Sequence, residues 1–227
     1  MSRKHLISFI ICSVLFPLLS LSLIPVTGQN LHPSPENPGR LPHPLLQNFS
    51  SSPGDIKNTI TRVEASGYFS LPVVEQPANN PSYVANQSDI LTHFALAERY
   101  GTTALIAHNH HAGSEFFALQ PGDRVNLLRK NRELESYWVT SIRSFRALRP
   151  TSPHSDFIDL QNGDRLTASE LFLEMYGPGD RLVFQTCIAK DGSPSWGRLF
   201  VTALPIPEKF LRQSLVSFPS LTDYTVQ

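Results

Sequence analysis

The sequence is short of cysteine, of charge excess and of long apolar runs, and each shortage excludes something. Only two cysteines occur in 227 residues, Cys12 and Cys187. Cys12 sits inside an apolar leader and reads as filler there, so the rest of the chain has a single cysteine and no disulfide framework of its own. Acidic and basic residues balance at 19 each, for a formal net charge of zero. No stretch is strongly basic, so a nucleic-acid-binding role lacks its electrostatic footprint. No internal repeat is visible, and only one run is long enough to concern a membrane.

That run opens the chain. In "MSRKHLISFIICSVLFPLLSLSLIPVTGQN", Arg3 and Lys4 precede an almost uncharged apolar stretch from Leu6 to Val26. A basic start, an apolar core and small residues at Val26-Thr27-Gly28 make an export signal. The stretch approaches the roughly 20 residues that span a bilayer, so residues 1–28 read as a signal peptide or an uncleaved N-terminal membrane anchor. In either case the remainder faces outward, which implies an extracytoplasmic protein, membrane-anchored or secreted. Residues 29–65 are proline-rich and poor in apolar side chains and read as an extended extracytoplasmic linker. A cysteine left over in an exported protein points to intermolecular pairing or to a reactive thiol. The alternative is a small buried apolar residue that happens to carry sulfur.

From residue 66 to 207 the texture is that of a folded domain. "GYFSLPVV" reads as a strand with a proline suited to an edge. "SDILTHFALAERYG" reads as a helix with Ile90, Leu91, Phe94 and Ala97 on one face, Ser88 or Asp89 as N-cap and Gly101 as terminator. "TTALIAH" (102–108) reads as a strand buried on both faces. "DRVNLL" and "ESYWVTSIRSFRAL" read as a hairpin about "RKNRE". Thr167 to Glu170 forms a capping box ahead of "LFLEMYG", which Gly177-Pro178-Gly179 stops. Strands 181–187 and 197–204 follow, joined by nine residues. Short strands outnumber helices, so the expected fold class is mainly β: an antiparallel β-barrel with one or two inserted helices. Residues 208–227 read as a C-terminal tail or short helix.

The chemistry concentrates at a few positions. If strands 181–187 and 197–204 pair as neighbours, hairpin geometry sets Cys187 beside Arg198 at one rim of the sheet. An arginine there lowers a thiol's pKa and donates hydrogen bonds to a developing oxyanion; otherwise it is a solvated edge charge. His108 ends the buried strand "TTALIAH", with His110 and His111 just beyond, and a histidine so placed is held rigidly while its ring reaches the rim.

Taken in order, Ala107-His108, "FFALQPGDRV", "YWVTSI", "VFQTC" and "GRLFVTA" resemble the bacterial sortases over roughly residues 67 to 204. The resemblance implies an exported cysteine transpeptidase with a sortase-like eight-stranded barrel and no cofactor. Position by position, Cys187 becomes the nucleophile, His108 the proton-handling residue and Arg198 the oxyanion and substrate-positioning residue. The implied partners are a peptide or protein carrying a sorting signal and an amine acceptor on the cell envelope or a pilin-like subunit. Ala107 departs from the family's usual glycine before the histidine, and Val183-Phe184 replace its Thr-Leu pair. The segment Arg149–Asp180, where the family grips its substrate, carries a helix of its own.

Two other readings compete. The cluster "HNHH" offers His108, His110 and His111 as imidazole ligands, with Glu115 the nearest carboxylate, for a zinc-dependent hydrolase. A catalytically inactive surface-binding β-barrel would keep Cys187, His108 and Arg198 as packing residues. Trp138 and Trp196 read as packing residues and His154 as solvated. Asn48-Phe49-Ser50 and Asn86-Gln87-Ser88 match the N-glycosylation pattern.

Overall fold

A computed structural model describes residues 59–207 and 209–210. The export segment 1–28, the linker up to residue 58, the Asn48 sequon and the tail beyond Phe210 lie outside the described residues. Among the described residues, no helix is long and apolar enough to cross a membrane.

Ten strands follow one another: β1 (Ile60–Ala65), β2 (Phe69–Glu75), β3 (Leu91–His93), β4 (Thr102–Ile106), β5 (Arg124–Arg129), β6 (Leu134–Ala147), β7 (Phe157–Asp159), β8 (Arg165–Leu166), β9 (Arg181–Lys190) and β10 (Ser193–Pro205). Their order is β10-β9-β4-β3-β2-β1-β5-β6, and β6 pairs back onto β10. Eight strands thus close into a barrel, and β7 with β8 extends outward from β6. The barrel is mixed rather than antiparallel throughout, because β2–β3 and β4–β9 are parallel pairs. Each of those pairs needs a crossover connection: residues 76–90 carry the chain from β2 to β3, and β5 to β8 with the helix α2 (Ala168–Tyr176) lie between β4 and β9, whereas the short helix α1 (Ala95–Glu98) joins the antiparallel pair β3–β4.

Alternation along the strands builds two cores. Leu182 and Phe184 of β9 and Leu199, Val201 and Ala203 of β10 point into the barrel with Leu105, Phe116 and Leu127. The intervening residues, Val183 and Phe200, face outward with Ala104 and Ile106. There Phe157 of β7 and Leu171, Met175 and Tyr176 of α2 cover them. Strand β4 is accordingly buried on both faces, which accounts for its near-continuous apolar sequence. A fully buried side chain such as Phe184 contributes about 2–3 kcal/mol through removal of apolar area from water.

Three expectations need correction. The barrel begins inside the proline-rich stretch assigned to the linker: Ile60 and Val63 are fully buried, and β1 pairs with both β2 and β5. The helix expected over "SDILTHFALAERYG" is a strand followed by a short helix. Leu91, Thr92 and His93 pair with β2 on one side and β4 on the other. A backbone ladder on both sides outweighs the helical spacing of the apolar residues, and α1 starts after Phe94 with no side-chain cap from Ser88 or Asp89. Finally, Trp138 is exposed at 44% and is not a packing residue.

Strand β2 is not an edge, since it pairs with β1 and β3, but Pro72 precedes the three residues with which β2 pairs β3, so its missing N–H costs that ladder nothing. Other readings hold. The hairpin β5–β6 forms as expected. The capping box is complete: Glu170 N–H donates to Thr167 Oγ1 (3.2 Å), and Thr167 N–H donates to the Glu170 carboxylate (2.8 Å).

Candidate active site

Strand β9 is longer than its apolar run suggests, continuing to Lys190, and β10 starts at Ser193. The expected nine-residue loop is instead a tight turn at Asp191 (φ 51°) and Gly192 (φ 76°), followed by a bulge between Ser193 and Gly197. Successive positive φ values match the twist of a hairpin, and an Asp-Gly pair adopts them readily. Cys187 therefore lies within β9 rather than at its end. The extension leaves the register intact, and Cys187 and Arg198 are direct cross-strand partners. Residues directly opposite in an antiparallel pair share a face, so sulfur and guanidinium emerge on the same, outer side of the barrel.

On the other side of β9 runs β4, parallel, with Ile106 paired to Gln185. The contact continues past the strand's end, where Ala107 N–H donates to Gln185 O (3.2 Å). His108 and Cys187 each stand two residues beyond the Ile106–Gln185 pair. The backbone of His108, Cys187 and Arg198 thus forms one row across three neighbouring strand positions, continued on β6 by Phe145, the partner of Arg198.

The row's backbone is tied down by residues that pattern reading passed over. Thr186, pointing into the barrel beside Cys187, donates its hydroxyl to Ala107 O (2.9 Å). The His108 carbonyl accepts from His111 N–H and Gly113 N–H, both at 3.0 Å. A Cβ on Gly113 would lie 2.3 Å from Thr186 Oγ1 and 2.7 Å from His108 O, so only glycine lets this turn close onto the strand end. Asn109 Nδ2 reaches across to Pro194 O (3.1 Å), joining the histidine loop to the β9–β10 turn. No short motif signals these ties; they become legible only once β4 and β9 are known to be neighbours.

Burial sets the electrostatics. Cys187 is 4% exposed and Arg198 is 5% exposed. The guanidinium donates from Nη1 to Ser195 O (3.1 Å) and Gly197 O (2.9 Å) and lies 5.9 Å from the Phe157 ring. Among the described residues no carboxylate forms an ion pair with it. Desolvation lowers its pKa to about 10, against a small upward pull from Tyr176, which still leaves a full positive charge at neutral pH. His108 is shifted below the ordinary histidine value, first by burial and then by His110 and His111, while a hydrogen bond with the Val84 backbone pulls it upward. It is therefore more fully neutral at pH 7 than an unperturbed imidazole.

The three imidazoles are close, with ring centroids 5.3 Å apart for His108–His110, 6.2 Å for His108–His111 and 4.2 Å for His110–His111. The His108 and His110 rings stack at 26°, and His111 Nε2 lies 3.2 Å from Asn86 Oδ1. Glu115 sits in the 3₁₀ helix Ala112–Ala118. Among the described residues, no group of three or more histidine, cysteine, aspartate or glutamate side chains is gathered as a metal ion would need. Trp196 lies beneath Lys190 Nζ (4.9 Å from its ring), and His154 is exposed.

No family model and no curated protein matches the chain. Solved structures similar to it include sortase C1 of Streptococcus suis, at 15% identity and a TM-score of 0.43, covering 68% of this chain and 76% of that one. Sortase C-1 of Actinomyces oris is similar at 13% identity and 0.46, over 74% and 83%. Sortase A of Corynebacterium diphtheriae, in a lid mutant, is similar at 14% and 0.45, over 65% and 70%. Identities this low leave the chemistry to be argued from the site itself.

Proposed function

We propose that this chain is a sortase-like cysteine transpeptidase, with Cys187 as nucleophile, Arg198 as oxyanion stabiliser and His108 as proton carrier. The observation that carries the reading is the register: Arg198 lies directly opposite Cys187, and His108 follows two residues after the end of the adjoining parallel strand. A permanent cation with no carboxylate among the described residues to neutralise it, placed next to a cysteine, favours thiolate and is available to charge that develops on a substrate oxygen.

Chemistry follows in two halves. Reduced Cys187, as thiolate, attacks a peptide carbonyl carbon and forms the C–S bond. Arg198 meets the negative charge gathering on the carbonyl oxygen. His108, as imidazolium, gives its proton to the departing nitrogen as the C–N bond breaks, leaving a thioacyl enzyme. An amine then attacks the thioester, His108 takes the amine's proton, and the thiolate leaves. Water in place of the amine turns the same steps into peptide hydrolysis. The acyl donor would be a protein bearing a sorting signal, and the amine would come from the cell envelope or a pilin-like subunit, outside the cytoplasm. One similar solved structure, the Clostridium perfringens sortase C, is described with a C-terminal cell wall sorting motif.

The downward shift of His108 makes the imidazolium–thiolate pair a minor species at neutral pH. Together with the burial of Cys187, it makes slow turnover the expected behaviour. The test is to incubate reduced full-length protein with a peptide library and an amine acceptor, then sequence whatever becomes ligated. Ligated products that vanish in Cys187→Ala support the reading. Products that persist in Cys187→Ala, or that vanish on chelation, overturn it.

A further inference from the structure

Directly below the row of Cys187 and Arg198 runs a second outward-facing row, two residues away on each strand: Arg143 on β6, Phe200 on β10 and Gln185 on β9. Helix α2 is fastened to both ends of this second row. The Arg143 guanidinium grips Glu174 of α2, and with its other nitrogen it holds Asp159 of β7, whose side chain is 1% exposed. At the far end, the hydroxyl of Tyr176, in the last turn of α2, donates to Gln185 Oε1. Between the two anchors the Tyr176 ring meets Phe200 edge-on at 5.8 Å and Phe94 at 5.4 Å. The last turn of α2 therefore spans β6, β10 and β9 as a strap, and it crosses β10 next to Arg198.

Arg198 needs such a strap. Among the described residues, only Nη1 donates to the backbone, to the carbonyls of Ser195 and Gly197 in its own turn, and no ion pair fixes the rest of the guanidinium plane. The groups that bound it otherwise are Phe157, carried by the strand that Asp159 ends, and Tyr176, carried by α2. Both are held in place through Arg143, and Tyr176 also through Gln185.

We infer that Arg143, Tyr176 and Gln185 are positioning residues for the transfer reaction: they seat α2 and β7 so that Arg198 is held against Cys187. The inference deepens the proposed reaction and rests on it. None of the three touches the reacting atoms. Their effect passes through the orientation of Arg198, so it should appear in the acidity of the Cys187 thiol, which an arginine held alongside lowers.

The test is the pH dependence of Cys187 alkylation in the reduced full-length chain, followed on its own peptide by mass spectrometry so that Cys12 is counted separately. Arg198→Gln should raise the midpoint. Tyr176→Phe and Gln185→Leu should each raise it too, by less than Arg198→Gln does. Arg143→Gln should do the same, with Arg143→Lys recovering part of the shift. Tyr176→Phe keeps the ring packing and removes only the hydroxyl, so it decides the matter if another variant folds poorly. Should Arg198→Gln shift the midpoint while Tyr176→Phe and Gln185→Leu leave it unchanged, the strap is overturned and the proposed reaction stands. Should Arg198→Gln itself shift nothing, the role of Arg198 fails, and the strap's purpose with it.

Discussion

Among the described residues two arginines are buried, and they are treated in opposite ways. Arg129, at the end of β5, is 8% exposed; Arg198, in β10, is 5% exposed. Arg129 meets Glu135 through two nitrogens, at 2.6 and 3.1 Å, and Tyr137 donates to the same carboxylate at 2.9 Å. Burial pulls the Arg129 pKa down, but Glu135 more than restores it and the net shift is upward. Burial likewise pushes Glu135 up, and its bonds with Arg129 and Tyr137 bring it below the ordinary glutamate value. Among the described residues, Arg198 has only the Ser195 and Gly197 carbonyls and the face of the Phe157 ring, and its pKa falls to about 10. A buried charge that is fully paired holds structure together. One left unneutralised costs stability, a cost that the proposed role of Arg198 beside Cys187 would account for.

The contrast can be broken from either side. Largest is the loss at the site itself: Cys187→Ala should eliminate transfer, and Arg198→Gln should lower acylation about 100- to 1,000-fold, the usual scale for removing an oxyanion donor. Thermal unfolding of Arg198→Gln should change little, because a desolvation cost is removed along with two hydrogen bonds. Comparable losses of stability in the Arg198 and Arg129 variants would erase the distinction. At the other end, Glu135→Ala removes the carboxylate that Arg129 meets through two nitrogens and should cost about 3 kcal/mol of stability. The folded fraction should retain its rate, as shown by denaturant unfolding alongside activity per folded molecule.

Gly113→Ala acts between these extremes. Its methyl group would drive against Thr186 Oγ1 and the His108 carbonyl, so it should destabilise the protein by about 1–3 kcal/mol and reduce transfer more than stability alone explains. Wild-type activity per folded molecule would show that the turn does not position His108.

The smallest effect concerns pH. His110 and His111 lower the His108 pKa, after burial. His110→Asn and His111→Asn should therefore move the acid limb of the transfer profile to higher pH, without restoring it fully because burial remains. Neither should abolish turnover, and equal losses from both would favour the metal reading. The same shift has a sign for stability. A histidine whose folded pKa is depressed adds stability above its unfolded value near 6.5, and that stability is lost as pH falls through the folded pKa.

The meeting of Cys187 and Arg198 was legible because hairpin pairing is local. Moving the turn to Asp191-Gly192 lengthened both strands without changing which residues oppose each other. The capping box of α2 and the doubly buried β4 were legible for the same reason, since each is written in a few adjacent residues. What the sequence hid is long-range. Strand β1 looked like linker because its neighbours in sequence are proline-rich, and only pairing with β2 and β5 reveals it. Leu91 to His93 looked helical until two neighbouring strands claimed their backbone. The parallel β4–β9 contact, which brings His108 into the row, joins residues some 80 positions apart, and no local pattern announces it. The strap across β10 is hidden likewise, because Arg143, Glu174 and Gln185 are ordinary surface-type residues until the sheet orders them.

The central claim is that sulfur and guanidinium act together on a carbonyl. Its most direct measurement is the intact mass of the reduced full-length protein after exposure to an acyl-donor peptide. The account predicts a hydroxylamine-labile acyl adduct mapped to Cys187 in the wild type, strongly diminished in Arg198→Gln and absent in Cys187→Ala. An adduct formed equally well without the arginine, or one that maps to another residue, would contradict it.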